Sequence, residues 1–271
     1  MTRIAVLQMT SGVDPEANFE TIFRAVCDAR AGGAEMLFTP EMSLLLDRDR
    51  KRAAPHIVPQ SVTPFPDRLR KAAKSKAMWM TAGIPVALES GRYANRQWLF
   101  SPSGELTSHY DKIHMFDVEL STGESWRESS AYEPGTEVVT IDETPVGRLG
   151  LTTCYDMRFP ALFEALGRRK CNAISIPAAF TVPTGKAHWH VMLRARAIEA
   201  SAFVIAAAQV GKHEDGRETY GHSLVVDPWG EVLLDMGGEE PGLAFVDLDM
   251  ARIEEVRSQL PSLANKRDIP S

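Results

Sequence analysis

Two short segments, one in each half of the chain, repeat the same turn chemistry: Trp98-Leu-Phe-Ser-Pro-Ser-Gly-Glu-Leu106 and Leu224-Val-Val-Asp-Pro-Trp-Gly-Glu-Val232. In both, a Pro presets φ, a Gly two residues later supplies a positive φ, and apolar runs flank the turn, so each reads as a β-hairpin. Each lies beside α-β units. Strand Arg3 to Gln8 leads to a helix over Asp14 to Ala31, where Phe19, Ile22, Ala25 and Val26 form the apolar stripe and Gly32-Gly33 ends it; with Ala34 to Phe38 this is a βαβ unit. A second helix, Pro64 to Ser75, feeds strand Ala77 to Val86. In the other half, strand Val146 to Thr153 precedes a helix opened by Pro160 and continued through Ala161 to Leu166, and strand Ala173 to Ile176 follows. The pattern suggests a pseudo-duplicated chain with two mixed sheets packed face to face and helices outside. Periodicity alone fixes only the α/β class. With 271 residues, 44% of them hydrophobic, and no linker or low-complexity stretch, the expectation is one domain, 1–271, around a single large core.

The chemistry concentrates where strands end. Cys154 lies between the strand Val146 to Thr153 and the helix opened by Pro160, so a backbone N–H of that turn can face the atom the sulfur attacks. Taken alone, a free cysteine is more often a buried structural residue. Glu41 follows strand Ala34 to Phe38 in the same way, and Lys112 follows another strand-like segment in Tyr110-Asp-Lys-Ile-His114. A strand-terminal Glu or a loop Lys is usually a solvated charge. Carboxylate, ammonium and thiol at three such ends together form a constellation, because strand ends of α/β proteins are where sites collect.

These residues resemble the Glu-Lys-Cys triad of the nitrilase superfamily of carbon-nitrogen hydrolases, and the resemblance covers nearly the whole chain. The segments Asp111-Lys-Ile-His-Met-Phe-Asp-Val118, Arg127-Glu-Ser129, Cys154-Tyr-Asp-Met-Arg-Phe-Pro160, Ile176 to Trp189 and Gln209 to His222 are similar to its Nit branch of amidases, some of which are fused to Fhit in invertebrates. The resemblance implies a four-layer α-β-β-α sandwich of two mixed sheets. It also implies amide hydrolysis through a cysteine thioester, with Cys154 as nucleophile and Glu41 as general base. Lys112 and the Tyr155 N–H would hold the oxyanion, and Glu128 would orient Lys112 or the substrate. Glu124 and Glu133 stand near Glu128 as competing surface acids. Arg158, Phe180 and Thr181 are the substrate-binding candidates; the alternative for Arg158 is an ion pair with Asp156 or Glu164.

The substrate implied is a small linear amide: deaminated glutathione, cleaved to 2-oxoglutarate and cysteinylglycine. An omega-amidase acting on 2-oxoglutaramate or an N-carbamoyl-amine hydrolase would share every catalytic residue. A non-catalytic binding or scaffold protein of the same fold is the reading from another class, and the intact triad argues against it.

Several partners and locations are disfavoured. The formal net charge is −6 with scattered Lys and Arg, so no nucleic-acid footprint is expected. Three cysteines without paired spacing suggest reduced thiols and a cytoplasmic protein, and no apolar run approaches the ~18 to 20 residues of a membrane span. No metal is expected: His188 and His190 lie about 200° apart on a helix, and His109 and His114 lack a third ligand. No phosphate-loop or dinucleotide motif is present, so no cofactor is expected. The helix after Gly185 carries Ala187, Val191, Ala195, Ile198 and Ala202 on one face and Trp189, Met192, Leu193 and Ala200 on others. It should be covered twice, by its own sheet and by a partner subunit in a homodimer or higher homo-oligomer, or by the C-terminal segment Ile253 to Ile269.

Overall fold

The computed structural model describes residues 1–121, 123 and 125–267. Strands β1 (Thr2–Gln8), β2 (Met36–Phe38) and β3 (Trp79–Ala87) pair in parallel, and the hairpin β4 (Tyr93–Phe100) and β5 (Leu106–Asp111) continues the sheet antiparallel. The second sheet repeats this plan. Strand β6 (Val139–Thr144) pairs antiparallel with β7 (Gly147–Leu151), which runs parallel to β8 (Ala173–Ser175) and β9 (Phe203–Ala206), and the hairpin β10 (Leu224–Val226) and β11 (Val232–Asp235) closes it. The first sheet's outer antiparallel edge is β12 (Gly242–Leu248), paired with β1.

The two hairpin turns are alike in detail. Gly104 N–H bonds Ser101 O and Gly230 N–H bonds Asp227 O, both at 2.9 Å, and the glycines take φ of 83° and 90°. A side chain would be strained at either position, which is why both turns carry glycine.

Alternation along the parallel strands produces four layers. In β1, Ile4 and Val6 face the second sheet and pack with Leu149, Leu151, Phe203 and Ile205, whereas Ala5 and Leu7 face the helices. In β2, Met36 and Phe38 take the inter-sheet side and Leu37 the helix side. Strands covered on both faces must be apolar on both, as these are. Helix α1 (Pro15–Ala31) packs on the first sheet through Phe19, Ile22, Val26 and Ala29, capped at Asp14, whose carboxylate accepts Glu16 N–H at 2.9 Å. Helix α2 (Phe65–Lys76) joins it on that face. On the second sheet lie α3 (Pro160–Arg168) and α4 (Val182–Ala200). The result is the α-β-β-α sandwich.

Two expectations about α4 change. It starts at Val182, ahead of Gly185, because Pro183 fits a first turn whose N–H groups need no helical partner. Its buried face is Gly185, Trp189, Leu193, Ala197 and Ala200, while Val191 and Ile198 are exposed and Ala202 lies beyond the helix end. The C-terminal segment reaches α4 through a short helix, Ser262–Asn265, but leaves the Val191 face open; Asp268 and Ile269 lie outside the described residues. Among the described residues, no helix is long and apolar enough to cross a membrane.

Candidate active site

The expected strand ends converge. Glu41 follows β2, Lys112 directly follows β5, and Cys154 follows β7, and all three line one cavity of about 880 Å³. The loop carrying Glu41 lies against β3 at Gly83, where a Cβ would come within 2.8 Å of the Met42 nitrogen; only glycine permits that approach.

Cys154 opens a 3-10 turn, Cys154–Arg158, with φ of +49°, a left-handed conformation costing a non-glycine residue ~1–3 kcal/mol. The surroundings impose it. Cys154 N–H donates to Pro177 O at 2.9 Å, and the preceding Thr153 N–H donates to the Asp156 carboxylate at 2.9 Å. The sharp turn thereby aims the sulfur at Glu41, with whose carboxylate the thiol hydrogen-bonds.

Lys112 is buried between two carboxylates, its Nζ 2.8 Å from Glu128 Oε2 and 3.2 Å from Glu41 Oε1. Burial pushes this amine down, but Glu128 and Glu41 outweigh burial and hold it well above the ordinary lysine value. Burial likewise pushes the Glu41 carboxyl up, yet the Lys112 ammonium, the Cys154 thiol, Asn95 and the Ala179 N–H together bring it below the usual carboxylate range. The Cys154 thiol is raised well above the ordinary thiol, first by burial and then by the Glu41 charge. The resting state is therefore a neutral thiol beside an ionised carboxylate and an ammonium. With burial and the Glu41 charge both opposing a thiolate, activation must come from proton transfer to Glu41.

Glu128 lies against Lys112 in the same cluster. Its carboxylate accepts Lys112 Nζ, the Phe116 N–H at 2.7 Å and Asn95 Nδ2 at 3.2 Å. Of its competitors, Glu133 bonds Ser90 at the surface and Glu124 lies outside the described residues. Asn95, on β4, was missed: its Nδ2 donates to Glu41 Oε1 at 2.7 Å as well as to Glu128, and its carbonyl accepts the Lys112 N–H at 3.0 Å. Ala179 N–H, donating to Glu41 Oε2 at 2.7 Å, was also missed.

Tyr155, Phe180 and Thr181 line the cavity. Arg158 does not; its guanidinium lies over the rings of Phe180 (5.3 Å) and Tyr155 (5.7 Å) and contacts His188 Nδ1 at 3.3 Å. Neither anticipated ion pair forms. Asp156 is engaged by Tyr110 and His114, and Glu164 by Arg168 and Lys266. Among the described residues no carboxylate pairs with Arg158. Four further arginines, Arg48, Arg50, Arg127 and Arg217, also line the cavity and were not anticipated.

Residues 3–258 match the carbon-nitrogen hydrolase family. The chain is 38% identical to the deaminated glutathione amidase of Yersinia enterocolitica over 99% of this chain and 94% of that protein. It superposes on the crystal structure of the Caenorhabditis elegans NitFhit protein with a TM-score of 0.88 at 34% identity, covering 98% of this chain and 65% of the other. An amidase from Nesterenkonia sp. AN1, solved with acrylamide added to its active site cysteine, is similar at a TM-score of 0.80 and 26% identity, covering 96% of this chain and 98% of the other.

Proposed function

The chain belongs to the carbon-nitrogen hydrolase family and is an amidase, and from that premise we propose that its substrate is deaminated glutathione, released as 2-oxoglutarate and cysteinylglycine. The observation carrying this reading is the cavity, about 880 Å³, with the thiol inside and Arg48, Arg50, Arg127 and Arg217 on its walls. That volume accommodates a tripeptide-sized ligand, and an amide that loses only ammonia would leave much of it unfilled. Deaminated glutathione carries a carboxylate at each end. We assign both carboxylates to the arginines of the cavity wall, the glycine carboxylate to Arg50 and the 2-oxo acid end to another of them.

The four site residues supply each step. Cys154 Sγ attacks the γ-carbonyl as its proton passes to Glu41. Lys112 Nζ and the Tyr155 N–H stabilise the oxyanion, and removing one such donor typically costs ~3 kcal/mol of barrier. Glu41 then gives its proton to the dipeptide nitrogen, and the C–N bond breaks to leave a thioester. Water, deprotonated by Glu41, attacks the thioester, and the departing sulfur recovers the proton. Glu128 and Asn95 keep Lys112 and Glu41 in register throughout.

Reduced thiols are required by this chemistry, and Cys27, Cys154 and Cys171 are all free, which supports a cytoplasmic location. The exposed apolar row Ala187, Val191, Ala195 and Ile198 on α4 supports a homodimer.

The decisive experiment assays deaminated glutathione, 2-oxoglutaramate and an N-carbamoyl amine side by side. We expect kcat/KM highest for deaminated glutathione. Arg50→Met should raise KM for that substrate and leave 2-oxoglutaramate unaffected. Equal turnover of the two 2-oxo amides, unaltered by Arg50→Met, would assign the enzyme to the smaller amide.

A further inference from the structure

On the helix side of the second sheet, away from the triad, three ligand-type side chains from three separate elements meet. His190 projects from α4, His222 precedes β10, and Asp235 ends β11. His190 Nε2 lies 2.9 Å from Asp235 Oδ2, His222 Nδ1 lies 2.8 Å from Asp235 Oδ1, and all the ligand atoms fall within 4.8 Å of one another. Chain spacing hides this arrangement, because His190 pairs with residues 32 and 45 positions away and not with His188.

The cluster is held in place. His222 has φ of +53°, a conformation unfavourable for histidine, fixed by its N–H donating to Gly237 O at 2.7 Å and by its carbonyl accepting Trp189 Nε1 at 2.8 Å. The Tyr220 ring stacks on the imidazole at 4.4 Å, and Gly237 N–H fixes Asp235 Oδ1 at 2.9 Å. Gly238 has no side chain to crowd the imidazole; a Cβ there would stand 2.9 Å from His222 Nε2.

We propose that His190 Nε2, His222 Nδ1 and an Asp235 oxygen form a binding site for one divalent transition-metal ion such as Zn²⁺, Co²⁺ or Ni²⁺. Two imidazoles and a carboxylate suit these borderline ions, whose bonds of about 2.0–2.2 Å place tetrahedral ligands about 3.3 Å apart; here each imidazole lies 2.8–2.9 Å from an Asp235 oxygen, and all three ligand atoms fall within 4.8 Å of one another. The side chains are 37%, 24% and 34% exposed, so a fourth position opens to water. Each imidazole now directs the same nitrogen at Asp235 that would bind the ion; on binding, its proton moves to the other ring nitrogen. The ion would join α4 to the β10–β11 hairpin.

The test is titration of the untagged full-length protein with Co²⁺, followed by visible absorption and thermal unfolding. We expect saturation at one ion per chain, nitrogen and oxygen ligation without a thiolate band, and a rise in the unfolding midpoint. His190→Gln and Asp235→Asn should each weaken binding at least about tenfold and abolish the midpoint rise. His188→Gln and Cys154→Ser should bind as the wild type does, and amidase activity of His190→Gln should report an intact fold. The proposal fails if no saturable binding occurs below millimolar Co²⁺. It also fails if His188→Gln loses as much affinity as His190→Gln, or if Cys154→Ser removes the site.

Discussion

Asp156, two residues after Cys154, accepts the phenol of Tyr110, two residues before Lys112, at 2.7 Å. The same buried carboxylate accepts Thr153 N–H at 2.9 Å, His114 N–H at 3.0 Å and contacts His114 Nδ1 at 2.7 Å. It therefore ties the segment on both sides of Lys112 to the turn that holds Cys154 in its left-handed conformation, and His114 is in turn stacked on Phe159 at 3.6 Å.

Asp156→Asn puts an NH2 where the carboxylate accepts N–H groups, so one buried donor is left facing another. A displaced turn shifts the sulfur relative to Lys112, and displacements near 1 Å cost about 10²-fold in rate. We expect kcat to fall by that order and the unfolding midpoint to drop. Tyr110→Phe, which leaves the N–H acceptors intact, should cost only about 1–2 kcal/mol of stability and little rate. Steady-state kinetics with thermal unfolding check both; an Asp156→Asn enzyme with wild-type kcat would deny the carboxylate this positioning role.

The pH profile follows from the site's charges. The proposed mechanism needs Glu41 ionised, and its carboxyl lies below the ordinary 4.5 in the folded protein. The acid limb of kcat/KM should therefore fall below that value, and the neutral thiol and the ammonium, both raised, should keep the basic limb above the usual thiol range. The same lowering makes Glu41 stabilising above its unfolded value, with that stabilisation lost as pH falls through the folded one. A limb near pH 6.5 would point to a histidine base instead.

Glu41, Lys112 and Cys154 were legible because each follows a recognisable strand, so order along the chain carried their convergence. Asn95 was not: Asn95, Arg96 and Gln97 are successive polar residues in one strand, and only pairing with β5 reveals that Asn95 lies beside Lys112. Cys171 is hard to read from the sequence for a related reason. Arg168-Arg-Lys170 suggests an exposed loop, yet Cys171 turns inward, fully buried, to the second sheet's helix-side core. Helix α4 offers two apolar rows of equal periodicity, and which one meets the sheet is decided by Trp189 and Leu193 fitting that core.

Alkylation should respect this burial. Cys171 is buried and its thiol is pushed up to about 11, chiefly by burial, so it should react slowly, and half-buried Cys27 on α1 is the more accessible of the two. We expect limiting iodoacetamide to label Cys154 first, assisted by Glu41 as base, with activity lost in proportion. Cys27 should follow and Cys171 come last. Peptide mapping that finds activity lost while Cys27 alone is modified would displace Cys154 from the nucleophile role.

The exposed row on α4 continues onto a small groove lined by Ile198, Trp229, Val256 and Leu260, where Trp229 and Leu260 are each 49% exposed. With Val191 at 63%, this is an apolar strip spanning α4, the β10–β11 turn and the helix Ala251–Gln259, of a kind that stable oligomers cover. We expect light scattering to report a dimer at micromolar concentration. Val191→Asp together with Ile198→Glu would bury two unpaired charges in that interface and should yield monomers, while surface charges of this sort leave the monomer fold intact. A double variant that remains dimeric, with circular dichroism unchanged, would place the interface on another face.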